Sequence, residues 1–239
     1  MAAWAVSDLH GEYELFLSIL DKISSEDTVY FLGDACDRGP DGYDLMKSIY
    51  EQPNWIYLKG NHEIIFEEAV TDYLNKGDWD YETYAFALRN GGKPTLEAWE
   101  MDSEVNRKIW RNRIHRLPMS AEYINPNGQR FLLSHAGFHP IRNRHTKEVN
   151  IYEDEYRLCW DRNHMYNYRW PSGMDDIFIV HGHTPMQLYG EGRSPEQGPL
   201  FYSKRHKIDI DCATYNTKTA IVFNLDTFDY FIVKGENNG

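Results

Sequence analysis

The chain is poor in the features that usually mark a secreted, membrane-bound or disordered protein. It has only three cysteines, Cys36, Cys159 and Cys212, in 239 residues. So sparse and odd-numbered a set builds no disulfide framework and points to a reducing, cytoplasmic setting. No apolar run approaches the roughly 18 residues of a membrane span. The opening Met1-Ala2-Ala3-Trp4-Ala5-Val6 lacks the basic start of a signal peptide and is expected to run straight into a strand. Positive charge is scarce too. With 25 Lys and Arg against 37 Asp and Glu the net charge is −12, which argues against a general nucleic-acid binder. Repeats and low-complexity linkers are absent. Aromatic residues, by contrast, are abundant (17 Tyr, 11 Phe, 7 Trp), too many for a disordered chain. A chain of this length can bury a full core as one large domain, or two at most.

Against that background five short motifs stand out, in this order: Ser7-Asp8-Leu9-His10-Gly11, Gly33-Asp34-Ala35-Cys36-Asp37-Arg38-Gly39, Gly60-Asn61-His62-Glu63, His135-Ala136-Gly137 and Gly182-His183-Thr184. Each sets oxygen or imidazole donors beside glycine, where a chain can turn sharply and present a ligand to a metal. Asp8 precedes Asp34 by 26 residues, and Asp34 precedes Asn61 by 27, about the length of a β-α-β unit. A short apolar run stands before every motif: Trp4-Ala5-Val6, Val29-Tyr30-Phe31-Leu32, Trp55-Ile56-Tyr57-Leu58, Phe131-Leu132-Leu133 and Ile177-Phe178-Ile179-Val180. Such runs of β-branched and aromatic residues read as buried strands. The motifs then fall at carboxyl ends of strands, where open α/β sheets hold their ligands.

In these motifs the chain resembles the calcineurin-like metallophosphoesterases, and among them the phosphoprotein phosphatase branch in its bacterial form. The resemblance spans Asp8 to Thr184. It implies an α/β (α+β) fold, a four-layer αββα sandwich of two mixed sheets with flanking helices. It also implies a dinuclear site. Asp8 and His10 hold one ion, Asp34 bridges both, and Asn61, His135 and His183 complete the second. Mixed oxygen and nitrogen ligands suit Mn, Fe or Zn better than Ca, with Mn the first expectation. Taken singly, His135 or His183 would read as a core histidine; within Ser-His-Ala-Gly and Gly-His-Thr after strands, ligation is the better reading. Two differences from the family pattern stand out. Ser7 occupies the usual glycine position of the first motif, and Pro185 stands where many relatives carry a further ligating histidine. The second leaves one ion with an open coordination position, where water can bind.

The mechanism implied is direct attack on phosphorus by a hydroxide bridging two ions about 3.5–4 Å apart. His62 is the candidate general acid, with Asp37 orienting its imidazole. Arg38 offers a planar fork for phosphate oxygens. Arg162, in Leu158-Cys159-Trp160-Asp161-Arg162, resembles the second phosphate-clamping arginine of bacterial members. The acidic net charge does not oppose this, because two dications, Asp8, Asp34 and the two arginines leave the pocket at about +4. Cys36 reads as packing, since metal chemistry needs no thiol. His181 reads as buried structure more than as support for a ligand. His139, His145 and His164 read as solvated, and Asp209 and Asp211 receive no role.

Elsewhere Glu12–Ile23 and Pro40–Tyr50 have helical patterns. A helical insert at about 63–116, broken at Gly77 and Gly91-Gly92, is expected to roof the active site. Its Asn90-Gly91-Gly92-Lys93-Pro94-Thr95-Leu96 resembles a segment of bacterial members, and equally reads as a plain loop before a helix. A hairpin is expected to turn at Asn125-Pro126-Asn127-Gly128. Residues 140–176 read as a surface excursion, and the chain from Lys207 onward as an antiparallel meander with a turn at Asn224–Thr227.

Three functions follow from the resemblance. The first is hydrolysis of phosphoserine and phosphothreonine, with phosphotyrosine as an extension, in proteins or small phosphoesters. The second is symmetrical dinucleoside tetraphosphate hydrolysis. The third is an inert binding module, which the complete ligand set argues against. In the tetraphosphatase pattern the aspartate before Arg-Gly-Pro is replaced and the third motif ends in Asp. Asp37 and Glu63 are both retained here, which favours a phosphatase. Neither nucleic acid nor membrane is expected as a partner.

Overall fold

A computed structural model describes residues 1–142, 145–146, 149–162, 170–189 and 193–235. Among these described residues, twelve strands and eight helices follow in chain order: β1 (Ala3–Val6), α1 (Tyr13–Leu20), β2 (Thr28–Phe31), α2 (Gly42–Tyr50), β3 (Trp55–Tyr57), α3 (Asn61–Lys76), α4 (Tyr81–Arg89), α5 (Lys93–Met101), α6 (Glu104–His115), β4 (Ser120–Ile124), β5 (Arg130–Ser134), β6 (His139–Arg142), β7 (Val149–Tyr152), α7 (Glu155–Cys159), β8 (Ile177–His181), β9 (Leu200–Tyr202), β10 (Lys207–Asp209), α8 (Thr214–Thr217), β11 (Thr219–Asn224) and β12 (Tyr230–Lys234). They build two mixed five-stranded sheets, ordered β12-β11-β1-β2-β3 and β4-β5-β8-β10-β9, and a small hairpin of β6 and β7. β1, β2 and β3 run parallel, as do β5 and β8. These five are the strands expected before the five motifs.

Period-2 alternation explains the layering. Ala3 and Ala5 of β1 and Ile221 and Phe223 of β11 face Phe131, Leu133, Val180 and Ile208 of the second sheet, forming the core between sheets. The intervening Val6, Ala220 and Val222 turn the other way, against Leu15, Phe16 and Ile19 of α1, Met46 of α2 and Phe66 of α3. Because both its faces are covered, all six residues of β11 are buried. Layers on the two outer faces are unequal. Helices α1 to α6 cover the first sheet, whereas the described cover of the second is Phe138, Leu158 and Cys159 with Trp170 and Met174.

The 61–115 stretch is helical as expected. α3 ends at Gly77 (φ 76°), and α4 and α5 are separated by Asn90–Gly92. A further break at Asp102-Ser103 was not expected; Ser103 caps α6 by accepting from the Asn106 amide at 3.2 Å. The hairpin turns at residues 125–129, where the Asn125 side chain accepts from the Asn127 and Gln129 amides.

Two expectations are corrected. The terminal strands are no continuous meander. β10 lies parallel to β8 in the second sheet, while β11 and β12 pair in the first. Both faces of each sheet need cover, and β10 can bury Ile208 only between the sheets. Nor is 140–176 purely a surface excursion. It contains the β6–β7 hairpin and α7, and Leu158, Cys159, Trp170 and Met174 are core residues. Their spacing has no period because Leu158 and Cys159 end a short helix, while Trp170 and Met174 come from irregular chain. His164 lies outside the described residues. No helix among the described residues is long and apolar enough to cross a membrane.

Candidate active site

Sharp turns after the parallel strands create the site. Asp8, His10, Asp34, Asp37, Arg38 and His183 all have φ between 45° and 68°. That left-handed region costs an ordinary residue about 1–2 kcal/mol. Six such residues fall in the first, second and fifth motifs, and strain of this kind tends to gather at functional sites. Backbone hydrogen bonds hold the turns together. Asp8 N donates to Gly33 O (3.1 Å), His10 N to Asp34 O (2.9 Å) and Gly182 N to His135 O (2.8 Å). Close approach decides the glycines of the second and third motifs: a Cβ on Gly33 (φ 94°) would lie 2.6 Å from Gly60 Cα.

Asp34 sits at the centre. Its Oδ1 accepts the His62 amide at 3.0 Å, and its Oδ2 lies 3.3 Å from His135 Nε2 and 3.6 Å from His10 Nε2. Donor atoms of His10, Asp34 and His62 form one compact group and those of Asp34, His135 and His183 another, each within 4.8 Å. Asn61 Oδ1 joins the second, 2.9 Å from His135 Nε2. Asp8 belongs to neither group. Its carboxylate accepts from the Ser7 hydroxyl and, at 3.1 Å, from the His183 amide, so it ties the two sheets together at the pocket's edge.

Each imidazole is anchored through one nitrogen. His10 Nδ1 donates to Cys36 O and His135 Nδ1 to Leu32 O, leaving both Nε2 atoms inward. His183 is anchored through Nε2, 3.0 Å from Trp160 O, and its Nδ1 is buried with no hydrogen-bond partner among the described residues. That orphaned nitrogen, in a group with Asp34 and His135, is what a cation would satisfy. The donor set therefore fits divalent ions on both sides of Asp34.

The charge pattern agrees. Burial, with the nearby His62 and Arg38, holds His10 well below the usual histidine range; burial, His135 and Arg162 do the same to His183. Both rings are therefore neutral, each with one unprotonated nitrogen. Burial would raise Asp34, but His135 and His62 outweigh it and hold it well below the usual carboxylate range. His135 is raised to about 9, because Asp34 and Asp8 outweigh burial. A proton on His135 Nε2 thus occupies the space between Asp34 and Asn61 that a cation would claim. Burial raises Asp8 to about 6, with Asp34 contributing.

The remaining predicted residues converge on the same pocket. His62 Nδ1 donates to Asp37 Oδ2 at 2.8 Å. Arg38 reaches between two imidazoles, with Nη1 2.5 Å from His10 Nε2 and Nη2 2.9 Å from His62 Nε2. A guanidinium only donates, so both Nε2 atoms are acceptors in this state. From the other side Arg162 places Nε 3.1 Å from His183 Nε2 and donates through Nη2 to His183 O (3.3 Å). Cys36 is fully buried, and burial with Asp37 and Glu63 pushes its thiol well up, which leaves it inert. His181 is buried, its Nε2 2.6 Å from Tyr202 OH. His145 is exposed, as expected. His139 is not solvated; its Nε2 lies 2.7 Å from Asp161 Oδ2 with the side chain 13% exposed.

Two contributors escaped sequence reasoning. Ser7 is no mere glycine substitute, because its hydroxyl donates to Asp8. Glu63, with no accessible surface, accepts from Asp34 N, Ala35 N and Gly60 N (each 2.8 Å) and from Tyr57 OH (2.7 Å). It staples the second motif to the start of α3. The available signal was its position, three residues after the helix cap, where a glutamate reaches back to backbone amides.

Residues 1–217 match the model of the family described as calcineurin-like phosphoesterase. The chain belongs to that family of metallophosphoesterases, whose members bind divalent metal ions. Among curated relatives, it is 26% identical over 223 residues to serine/threonine-protein phosphatase 2 of Escherichia coli (strain K12), covering 84% of this chain and 91% of that one. It is also 26% identical over 244 residues to the asymmetrical bis(5'-nucleosyl)-tetraphosphatase PrpE of Bacillus velezensis, covering 93% and 89%. A crystal structure titled as that of a candidate diadenosine tetraphosphatase superposes with TM-score 0.62 at 16% identity, covering 99% of this chain and 94% of the other. At that identity the likeness concerns the fold.

Proposed function

We propose that the protein is a phosphatase of phosphoserine and phosphothreonine in proteins, with phosphotyrosine as an extension, working with two divalent ions, first of all manganese. Asp8 and His10 would hold one ion, Asn61, His135 and His183 the other, with Asp34 shared. Bound there, such ions supply concentrated positive charge that makes water acidic enough to attack near neutral pH. The chain's own groups do the rest. Arg38 and Arg162, on opposite sides of the pocket, would engage phosphate oxygens. Arg38 must then leave His62 Nε2, which frees that nitrogen to carry a proton toward the departing oxygen. Asp37 fixes the ring's orientation through Nδ1.

The observation that carries this reading is the 2.8 Å His62–Asp37 pair beside Asp34. A serine or threonine alkoxide is a poor leaving group and needs a proton donor; a phosphoanhydride leaves without one. Dinucleoside tetraphosphate hydrolysis is the second reading, favoured by the near-full-length similarity to a tetraphosphatase. The test compares a phosphoserine peptide, a phosphothreonine peptide and diadenosine tetraphosphate as substrates of Mn-loaded protein. The first reading expects a higher kcat/KM on the peptides. Faster cleavage of the dinucleotide would replace it with the second, and no turnover of any substrate by protein holding two ions would leave a binding module.

A further inference from the structure

The turn between α4 and α5 carries a motif that the proposed chemistry does not use, yet it grips the second motif. Asp37 and Arg38 are consecutive left-handed residues, both at φ 68°. Neither is glycine, so neither holds that conformation unaided. Their two backbone amides are both taken by the turn. Asp37 N donates to Thr95 Oγ1 at 3.0 Å, and Arg38 N donates to Gly91 O at 2.8 Å. Thr95 has no accessible surface, and this contact spans 58 residues of chain. Gly91 (φ 87°) lies flat against Arg38: a Cβ there would meet Arg38 Cγ at 3.0 Å and Arg38 N at 3.1 Å. Only glycine brings the turn that close.

We propose that the Gly91–Thr95 turn positions the Asp37-Arg38 pair, with Thr95 as a positioning residue. Through Asp37 the grip extends to the His62 ring, and through Arg38 to the phosphate oxygens. The helical insert is therefore coupled to the reacting groups and sets how far the arginine fork and the imidazole reach. Its two hydrogen bonds go to Asp37 and Arg38, not to Asp34 or a predicted ligand histidine, so its main effect falls on substrate engagement and not on metal binding. This inference rests on the reading of Arg38 and His62 as groups that meet substrate.

The experiment compares Thr95→Val, which keeps shape but removes the acceptor, with Thr95→Ser, which restores it, and with Arg38→Ala as reference. Bound manganese, kcat and KM for a phosphoserine peptide, and inhibition by inorganic phosphate are measured for each. Thr95→Val is expected to retain both ions, to lose about tenfold in kcat/KM, and to bind phosphate more weakly by a similar factor, the effect of one buried hydrogen bond. Thr95→Ser should recover most of both. If Arg38→Ala weakens phosphate inhibition while Thr95→Val does not, the positioning role is overturned and the reading of the site stands. If Arg38→Ala leaves phosphate inhibition unchanged, both fall. Equal losses in the valine and serine variants also overturn the proposal. Should Thr95→Val fail to fold, Gly91→Ala decides: weaker phosphate inhibition supports the grip, and parent-like inhibition removes it.

Discussion

Glu63→Gln makes a sharp test of how the pocket is held together. One carboxylate oxygen, Oε2, accepts from Asp34 N and Gly60 N, and the other, Oε1, from Ala35 N and Tyr57 OH. An amide has one oxygen and one NH2, so one of these pairs must face a donor. The better choice turns the NH2 toward Oε1's partners, because Tyr57 OH can rotate and accept. Ala35 N is then left unpaired and buried, at about 1–3 kcal/mol. The hydrogen bonds that persist lose the charge that roughly doubled their strength. Together the loss is about 3–5 kcal/mol. For a chain of this size that corresponds to a Tm drop of roughly 6–20 °C. The substitution also unties the Ala35 amide, next to Asp34, from α3, so occupancy by manganese should fall with stability. Burial, with Asp34 nearby, already raises Glu63 above the usual carboxylate range. The four donors are what keep its charge tolerable. Thermal unfolding of metal-free parent and variant, with manganese titration of both, measures the effect. A Tm change under 2 °C with unchanged metal affinity would show that the staple contributes nothing and refute the argument.

Three further outcomes are expected. Asp34→Asn should reduce occupancy at both metal positions and abolish hydrolysis; two tightly bound ions per chain with near-normal turnover would exclude a shared ligand. His62→Asn should slow phosphoserine peptides by about 10²–10⁴-fold and an aryl phosphate much less, because the aryl oxygen tolerates negative charge, while Asp37→Asn shows the same selectivity more mildly; equal losses on both substrates would leave His62 without a proton-donor role. Lys207 is buried and held down at about 7 by that burial, against 10.5 for an ordinary lysine. Between those values the unfolded chain binds a proton that the folded one does not, so its contribution to stability rises with pH, by at most about 4–5 kcal/mol. Lys207→Met lacks that gain, so its Tm advantage over the parent should shrink from pH 7 to pH 10; a constant offset across that range would contradict the assignment.

The sequence by itself determined where the candidate ligand residues lie in the fold. Apolar runs with β-branched and aromatic residues specify strands wherever they lie, and glycine beside Asp, Asn or His specifies where those strands can turn. Asp34, His135 and His183 converge because each follows a parallel strand, and that pattern is local enough to read. What only the tertiary structure decided are contacts between residues far apart in the chain. β10 enters the second sheet because Ile208 finds cover between the sheets, which no feature of Lys207–Asp209 announces. Trp170 and Met174 are core residues without periodicity, since irregular chain packs one residue at a time. Ser7 gains a role only when its hydroxyl meets Asp8, and Glu63 only when four donors from two motifs and β3 surround it. Arg38 could be named as a phosphate ligand from its motif, but its position between His10 and His62 depends on a backbone conformation held from Gly91 and Thr95. A left-handed turn in a non-glycine residue is unfavourable alone, so it exists only where distant packing imposes it, and sequence spacing carries no record of that.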